Sequence, residues 1–497
     1  MMSFFKNSSL LAGYSWLQNS FDSIIINFFL KFSTIVVIVL DSINRRLSRF
    51  SFLKNTSWRA LVLALFLVAL ILDTSLPLQL STLPTTSGIT PLRSNSSSAV
   101  NLNSVRIFPL LFLIVIFLYD IGKSKLRFKL LRFELYLIIF FLIQILATIQ
   151  GFNISSSVLE LLRFTLSLVV YFVASRLKIT KSSLYAILFI SLCIILFEGG
   201  LAMAQFLKGG TLGLPIEEIE KIDLNEFSFQ LEGTNYFRVV GTFYQPNLLS
   251  TFLALFLPFA VALFYLSKGY LKALSIFGIF LGVITIALSL SRMGMIACLL
   301  SLGLGIFLLE KNKETSRIGF SRIKLSILII VSGLLIALQN PFIESRFLTF
   351  NSSENSWSTR KQLISESLYI AQNFPLGSGP NTFLYIFTNY DITQTHLSSR
   401  YLEPVLSLYF LLLSEVGVAG LLMFLIIITE VIVLFIRNHS YLKREKRIIA
   451  IACFCAVVAY LISGILDLRP LVSRQAWLFF FLMGLCVNLI GLRKRNN

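Results

Sequence analysis

Charge is scarce in this sequence of 497 residues: 13% are Asp, Glu, Lys or Arg, against a hydrophobic share of 56%. That balance excludes a soluble protein with an ordinary surface and points to a polytopic membrane protein. Acidic residues are scarcer still, 24 against 43 Lys and Arg, which leaves a formal net charge of +19. In a soluble chain such an excess would suggest nucleic acid. Here the basic residues cluster in short segments between apolar runs, as the positive-inside rule expects of cytoplasmic loops, so no nucleic-acid partner is expected. Histidine is limited to His396 and His439. With no acidic cluster at metal-ligand spacing either, a metal-dependent mechanism has little support and no cofactor is expected. The five cysteines (Cys193, Cys298, Cys453, Cys455 and Cys486) all lie within apolar runs. Neither a disulfide framework nor a zinc site is indicated.

What fills the chain is apolar sequence. Twelve runs of about bilayer length, or a little shorter, lie near 59–77, 106–120, 131–150, 157–175, 183–207, 247–267, 272–290, 293–310, 323–339, 405–436, 447–466 and 470–492. Ahead of them, residues 1–58 form a basic, mixed segment whose run near 24–40 is broken by Asn27, Lys31 and Thr34 at helical spacing. It reads as an interfacial helix rather than a cleaved signal peptide, since it starts late, carries a charge and lacks a clear small-residue cleavage site. Alternate threading puts the basic loops around 123–132, 176–181, 268–272, 311–324 and 437–447, with the tail 493–497, on the cytoplasmic side. The opposite side receives a Ser/Thr/Pro-rich loop near 78–105, an acidic loop over 208–245, a tight turn at Ser291 and Arg292, a long loop over 341–404 and a turn near 467–474. The expectation is therefore all-α: about 12 transmembrane helices, both termini cytoplasmic, with one large extracytoplasmic loop. The run 405–436 exceeds what a bilayer needs, so it is either tilted or begins outside.

The long loop carries most of the groups suited to chemistry. In STRKQLISESLYIAQNFPLGSGPNTF, residues 358–383, Thr359 and Gln362 have capping-box spacing and predict a helix start, with Asn373, Pro375 and Gly377 as its end. Arg360 then falls in the first turn, where a guanidinium beside unpaired N–H groups suits an anion. The alternative is an ion pair with a nearby carboxylate such as Glu354. Three further arginines sit on the side that the positive-inside rule disfavours: Arg238, Arg292 and Arg346. For Arg238 and Arg346 the bland explanation is pairing with the acidic loop, through Glu217, Glu218, Glu220, Asp223, Glu226 or Glu232. Arg292 lies between two apolar runs at the mouth of the bundle, where an ionisable group is a functional hypothesis by default. Guanidinium forks bind phosphate oxygens bidentately, so arginines converging on a membrane-embedded cleft suggest a lipid phosphate or pyrophosphate.

Four stretches, RVVGTFYQPNLLSTFLALFLP (238–258), SLSRMGM (289–295), STRKQL with NFPLGSGPNTF (358–383) and EPVLSLYFLLLSEVGVAG (403–420), resemble the successive signatures of the O-antigen ligase and O-antigen polymerase superfamily. The resemblance implies that residues 59–492 form an integral membrane glycosyltransferase of the C-type fold, in a bacterial plasma (inner) membrane. Its implied donor is an undecaprenyl-pyrophosphate-linked glycan; its acceptor is a glycan, a lipid or a protein. In the family's ligases two outward arginines hold the donor pyrophosphate, and the matching positions here are Arg292 and Arg360, with Arg238 as a third donor-binding candidate. A histidine at the start of the helix after the large loop serves there as base on the acceptor hydroxyl.

This sequence departs from the pattern at that histidine. The family's His-Asn positions correspond to Leu406 and Ser407, and a second histidine is replaced after Asp467 by Leu468 and Arg469. Leucine moves no proton. His396 or Glu403 in the long loop, or Asp467, are the substitutes as base; Asp467 has the alternative of pairing with Arg469 or Arg474. Glu415 matches the family's Glu-x-Gly, with a cap or packing role as its other explanation. Ligase and polymerase share a donor, and the sequence does not choose between them. Two other readings stand beside these: a transporter or flippase of polyprenyl-linked sugars, against which weigh the lack of an internal repeat and the scarcity of mid-membrane ionisable groups, Glu160, Arg163 and Glu198 being exceptions whose positions suggest the outer part of the membrane or helix packing, and an inactive relative that binds donor without turnover.

Overall fold

A computed structural model of the chain describes residues 58–69, 110–118 except 112, 131–217 except 215 and 216, 228–231, 234–310 except 244, 355–393, 398, 404–467 and 474–490. The expected interfacial helix near 24–40, the run 323–339, the loop near 78–105, Arg346, His396 and Glu403 all lie outside these residues. The described helices are α1 (Trp58–Ala69), α2 (Arg132–Ile149), α3 (Ile154–Ala174), α4 (Lys181–Lys208), α5 (Pro246–Leu266), α6 (Gly269–Leu288), α7 (Arg292–Glu310), α8 (Asn355–Asn373), α9 (Phe383–Asn389), α10 (Leu408–Glu415), α11 (Gly417–Asn438), α12 (Arg444–Ser463) and α13 (Arg474–Ile490). Among the described residues, eight helices are long and apolar enough to cross a bilayer: α2 to α7, α11 and α12. The chain is a polytopic membrane protein, as its composition requires.

The centre of the bundle is α5, whose residues from Leu249 to Tyr265 are all buried. It packs against α4, α6, α7 and α12, while α2, α3, α11 and α13 form a flanking group joined to it through α12 and α13. A helix apolar on every face is one enclosed by other helices, and α5 and α12 fit that description. The outer helices keep leucines and isoleucines such as Leu142, Leu146, Leu422 and Ile426 exposed, on surfaces that a bilayer would cover.

Connections gather at the two ends of the bundle. One end holds basic connections, tied together by Arg176, which forms a bidentate pair with the fully buried Glu134 (3.0 and 3.0 Å), and by Lys181 with Glu445 (2.8 Å). The other end holds the turn between α2 and α3, the segment between α4 and α5, the α6–α7 turn and the long loop with α8 and α9. One addition to the all-helical architecture occurs there: an antiparallel hairpin of β1 (Ser228–Leu231) and β2 (Thr234–Phe237), in register Ser228↔Phe237 and Leu231↔Thr234.

One local expectation is corrected and one run is divided. The polar helix of the long loop begins at Asn355, not at Thr359, so Arg360 lies in its second turn, and Gln362 Nε2 reaches Ser358 Oγ (3.5 Å) within the helix. The helix-terminus argument for an anion at Arg360 therefore does not apply. Its end is as expected: Asn373 is the last residue, and the Phe374 N–H donates to Ile370 O (2.8 Å). The over-long run 405–436 divides at Val416 into α10 and α11, because Gly417 takes a left-handed φ of 78°.

Candidate functional site

The site is built where the loop-bearing ends of α5, α7, α8 and α12 meet. Each arginine arrives by a different device. Arg238 follows β2 in an extended stretch that is clamped to α4 by buried polar side chains. Gln205 Oε1 accepts the N–H groups of Val240 (3.1 Å) and Gly241 (2.8 Å), and its Nε2 donates to Gly241 O (2.9 Å) and to Glu217 (2.7 Å). Glu198, also fully buried, accepts from Thr242 N (3.1 Å) and Thr242 Oγ1 (2.6 Å). An added Cβ on Gly241, at φ 60°, would lie 2.4 Å from Glu198 Oε2, so only glycine suits this turn.

Glu217 is the acidic-loop residue whose role changes most. Burial alone would raise its pKa. The hydrogen bonds from Gln205 and from the N–H groups of Leu212, Leu214 and Gly213 outweigh this and hold the carboxyl below its ordinary range. It thus anchors its own turn and fixes the Gln205 amide. The pairing of Arg238 with Glu217 considered above is replaced by this arrangement. The other acidic residues named for that pairing lie outside the described residues.

Arg238 instead donates through Nε to Ser289 O (2.9 Å) and through Nη2 to Asn247 Oδ1 (3.0 Å). Ser289 opens the α6–α7 turn, where Leu290 has φ 52° and Ser291 caps α7, its Oγ accepting Gly294 N (3.2 Å). Arg292 is the first residue of α7, half-buried, three residues beyond the carbonyl that Arg238 holds. Asn247, at the start of α5, turns its other amide arm to Asp467: Nδ2 donates to Oδ1 at 3.2 Å. Asp467 follows α12, with its N–H on Ser463 O (3.1 Å), and lies almost wholly buried.

Arg360 completes the chain of contacts. Its Nη2 faces Asp467 Oδ1 at 3.5 Å, and its Nη1 donates to the carbonyl of Leu466. Arg238, Asn247, Asp467 and Arg360 thus form one connected cluster, drawn from four separate segments, with the Arg292 turn attached through Ser289. The ion pair expected for Arg360 is formed, but with Asp467; Glu354 lies outside the described residues. The ion pair expected for Asp467 is likewise with Arg360, and Arg469 and the Arg474 side chain lie outside them.

The position matching the family histidine lies two residues before a contact with the end of α12. Leu406 is half-buried, and Ser407 and Leu408 lie against the end of α12, with Leu408 N donating to Gly464 O (2.8 Å), three residues before Asp467. Glu415 does not reach into the cluster by any described contact; it accepts the Phe383 N–H (3.1 Å) at the start of α9, a cap. Glu160 pairs with Arg163 at 3.2 Å on α3. The cysteines are free thiols, four buried and Cys193 half-buried, as packing residues would be.

Asn247 and Gln205 had no functional reading in the sequence. Both are amides bordering apolar runs, Gln205 buried and Asn247 half-buried, and that context was the available signal: an amide withdrawn from water beside a membrane span needs partners for its polar atoms.

A search of curated proteins finds no match to the chain. Residues 277–425 match the family model described as O-antigen ligase. That segment runs from within α6 to within α11 and includes Arg292 and Arg360, whereas Arg238, Asn247 and Asp467 lie outside it. Over this segment the chain is similar to the O-antigen ligase family.

Proposed function

We propose that the protein is a membrane glycosyltransferase that transfers or polymerises undecaprenyl-pyrophosphate-linked glycans on the extracytoplasmic face, in surface polysaccharide assembly. The observation that carries this reading is that Arg238 and Arg360 meet through a linked pair, the half-buried Asn247 amide and the buried Asp467 carboxylate, beside the Arg292 turn, at the end of an apolar bundle. A lipid-linked pyrophosphate would keep its tail in the bilayer and its head group among these arginines.

The chemistry is an in-line displacement at the anomeric carbon. The acceptor oxygen forms a bond to that carbon as the bond to the pyrophosphate oxygen breaks. The arginines neutralise charge growing on the leaving pyrophosphate, and a base takes the acceptor proton. Guanidinium groups in these positions would supply that charge stabilisation without a metal. With Leu406 at the family's histidine position, the base is sought among His396, Glu403 and Asp467. Asp467 is already engaged by Arg360 and Asn247, which directs the search first to His396 and Glu403.

Binding of undecaprenyl pyrophosphate to the protein in nanodiscs tests the donor site. Arg292→Ala and Arg360→Ala are each expected to weaken it by about 1–3 kcal/mol, the worth of a lost charge-assisted hydrogen bond. Variants that bind as well as wild type would show that these arginines are structural and would move the transporter and inactive readings ahead.

A further inference from the structure

Asp467 is the carboxylate nearest the arginines among the described residues, and its contacts suit a role other than proton transfer. We infer that Asp467 is a built-in counter-ion, holding the place of a donor phosphate oxygen until the pyrophosphate displaces it from Arg360 and Asn247. This inference rests on the reading of the arginine cluster as an anion site.

Three observations support it. First, a single atom, Asp467 Oδ1, meets both Asn247 Nδ2 (3.2 Å) and Arg360 Nη2 (3.5 Å). The two donors belong to different helices and converge on one point, so that point is where an anionic oxygen sits. Second, the pairing with Arg360 is long. Tight guanidinium–carboxylate contacts fall at about 2.7–2.9 Å, and this pair stands at 3.5 Å. Third, the side chains are enclosed, with 17% of Arg360 and 4% of Asp467 exposed. An enclosed guanidinium without an anion is costly, so a resident carboxylate stabilises the empty site.

The Asn247 amide links the two arginines through this exchange. Its Oδ1 is held by Arg238 and its Nδ2 by Asp467, an orientation that directs an amide N–H toward the anion position. Once Asp467 leaves, Nδ2 and Arg360 Nη2 both face the vacated point, and a phosphate oxygen takes it without rearrangement of Arg238.

The test is a charge-swap pair in the full-length protein, with undecaprenyl pyrophosphate as probe in nanodiscs. Asp467→Asn is nearly isosteric and removes the competitor; it is expected to tighten binding about fivefold, the worth of one partly screened ion pair. The gain is expected to vanish in an Arg360→Ala background, since the competition is for that guanidinium. Asn247→Asp, which adds a second carboxylate at the cluster, is expected to weaken binding by a similar factor, and carries the test should Asp467→Asn fold poorly. Unchanged or weaker binding by Asp467→Asn, or an equal gain without Arg360, overturns the counter-ion role while leaving the donor site standing. Turnover lost with binding unchanged overturns it in favour of a base. If neither wild type nor Asp467→Asn binds the probe, the anion site itself is refuted and the inference falls with it.

Discussion

Glu366 is a fully buried carboxyl on α8, outside the membrane-spanning helices. Its Oε2 accepts the Ile392 N–H (3.1 Å), while its Oε1 has no hydrogen-bond partner among the described residues. Burial pushes its pKa up to about 7, the Ile392 bond opposing this and the nearby Asp391 adding to it. At Asp391 burial also acts to raise the pKa, but bonds from Thr393 and Ser398 prevail and hold it below its ordinary range. The consequence for stability has a definite sign. A carboxyl whose folded pKa lies above its unfolded value stabilises the fold fully below about pH 4.5, and that contribution is lost as pH rises through about 7. Backbone amides of residues 384–393 are therefore expected to exchange faster at pH 8 than at pH 5.5, after correction for the intrinsic rate. Glu366→Gln is expected to flatten this dependence and to stabilise the segment at pH 8 by about 1–3 kcal/mol. Hydrogen exchange followed by mass spectrometry reads both; an unchanged pH profile in the variant would locate the titrating group elsewhere.

At the scale of elements, the junction of α10 and α11 decides how the long loop is seated. Gly417 has φ 78°, and an added Cβ would lie 2.6 Å from Pro375 O and 2.7 Å from Gly377 N. Gly377 faces it with φ 96° and the same close approach to Glu415 O, at 2.5 Å. The loop backbone then adds hydrogen bonds from Ser378 N to Ser414 O (3.0 Å) and from Gly379 N to Glu415 O (2.9 Å). Gly417→Ala combines left-handed strain with a backbone clash, so a loss of about 2 kcal/mol or more is expected. Gly303→Ala, in the interior of α7 with open space around it, is expected to stabilise by about 0.4–1 kcal/mol. Thermal melts of the two variants, moving in opposite directions, check both. The division of this run was legible as excess length but not as a position, because Gly417 and Gly420 stand in an apolar sequence where glycine also serves helix packing. The start of α8 was misread for a related reason. Thr359 and Gln362 have the spacing of a cap, but the helix already runs four residues ahead of Thr359, and spacing alone does not tell a first turn from a second.

For the whole molecule, what was legible and what was not follow from range along the chain. Bilayer-length runs are local signals, and each of the eight described spans falls on one of them. The cluster is not local: Arg360 and Leu466 are 106 residues apart, and Asn247 and Asp467 are 220 apart. Asp467 was visible as an acidic residue with an arginine partner, but Arg360 as that partner depends on how α8 sits over the bundle. The same long-range assembly sorts charge between the two ends, and this yields a test of orientation. Arg176, Lys181, Arg444 and Arg447 lie at the end opposite the arginine cluster, the end that the positive-inside rule assigns to the cytoplasm. Ser358 on α8 and Ser440 after α11 are exposed at opposite ends, and the native cysteines are buried or half-buried within helices. Wild type is therefore expected to react weakly with a membrane-impermeant maleimide. In spheroplasts Ser358→Cys is expected to label at once, and Ser440→Cys only after permeabilisation. The reverse pattern would put the cluster on the cytoplasmic side, where it would meet nucleotide-linked sugars instead of an extracytoplasmic lipid-linked donor, and the glycosyltransferase proposed here would need a different substrate.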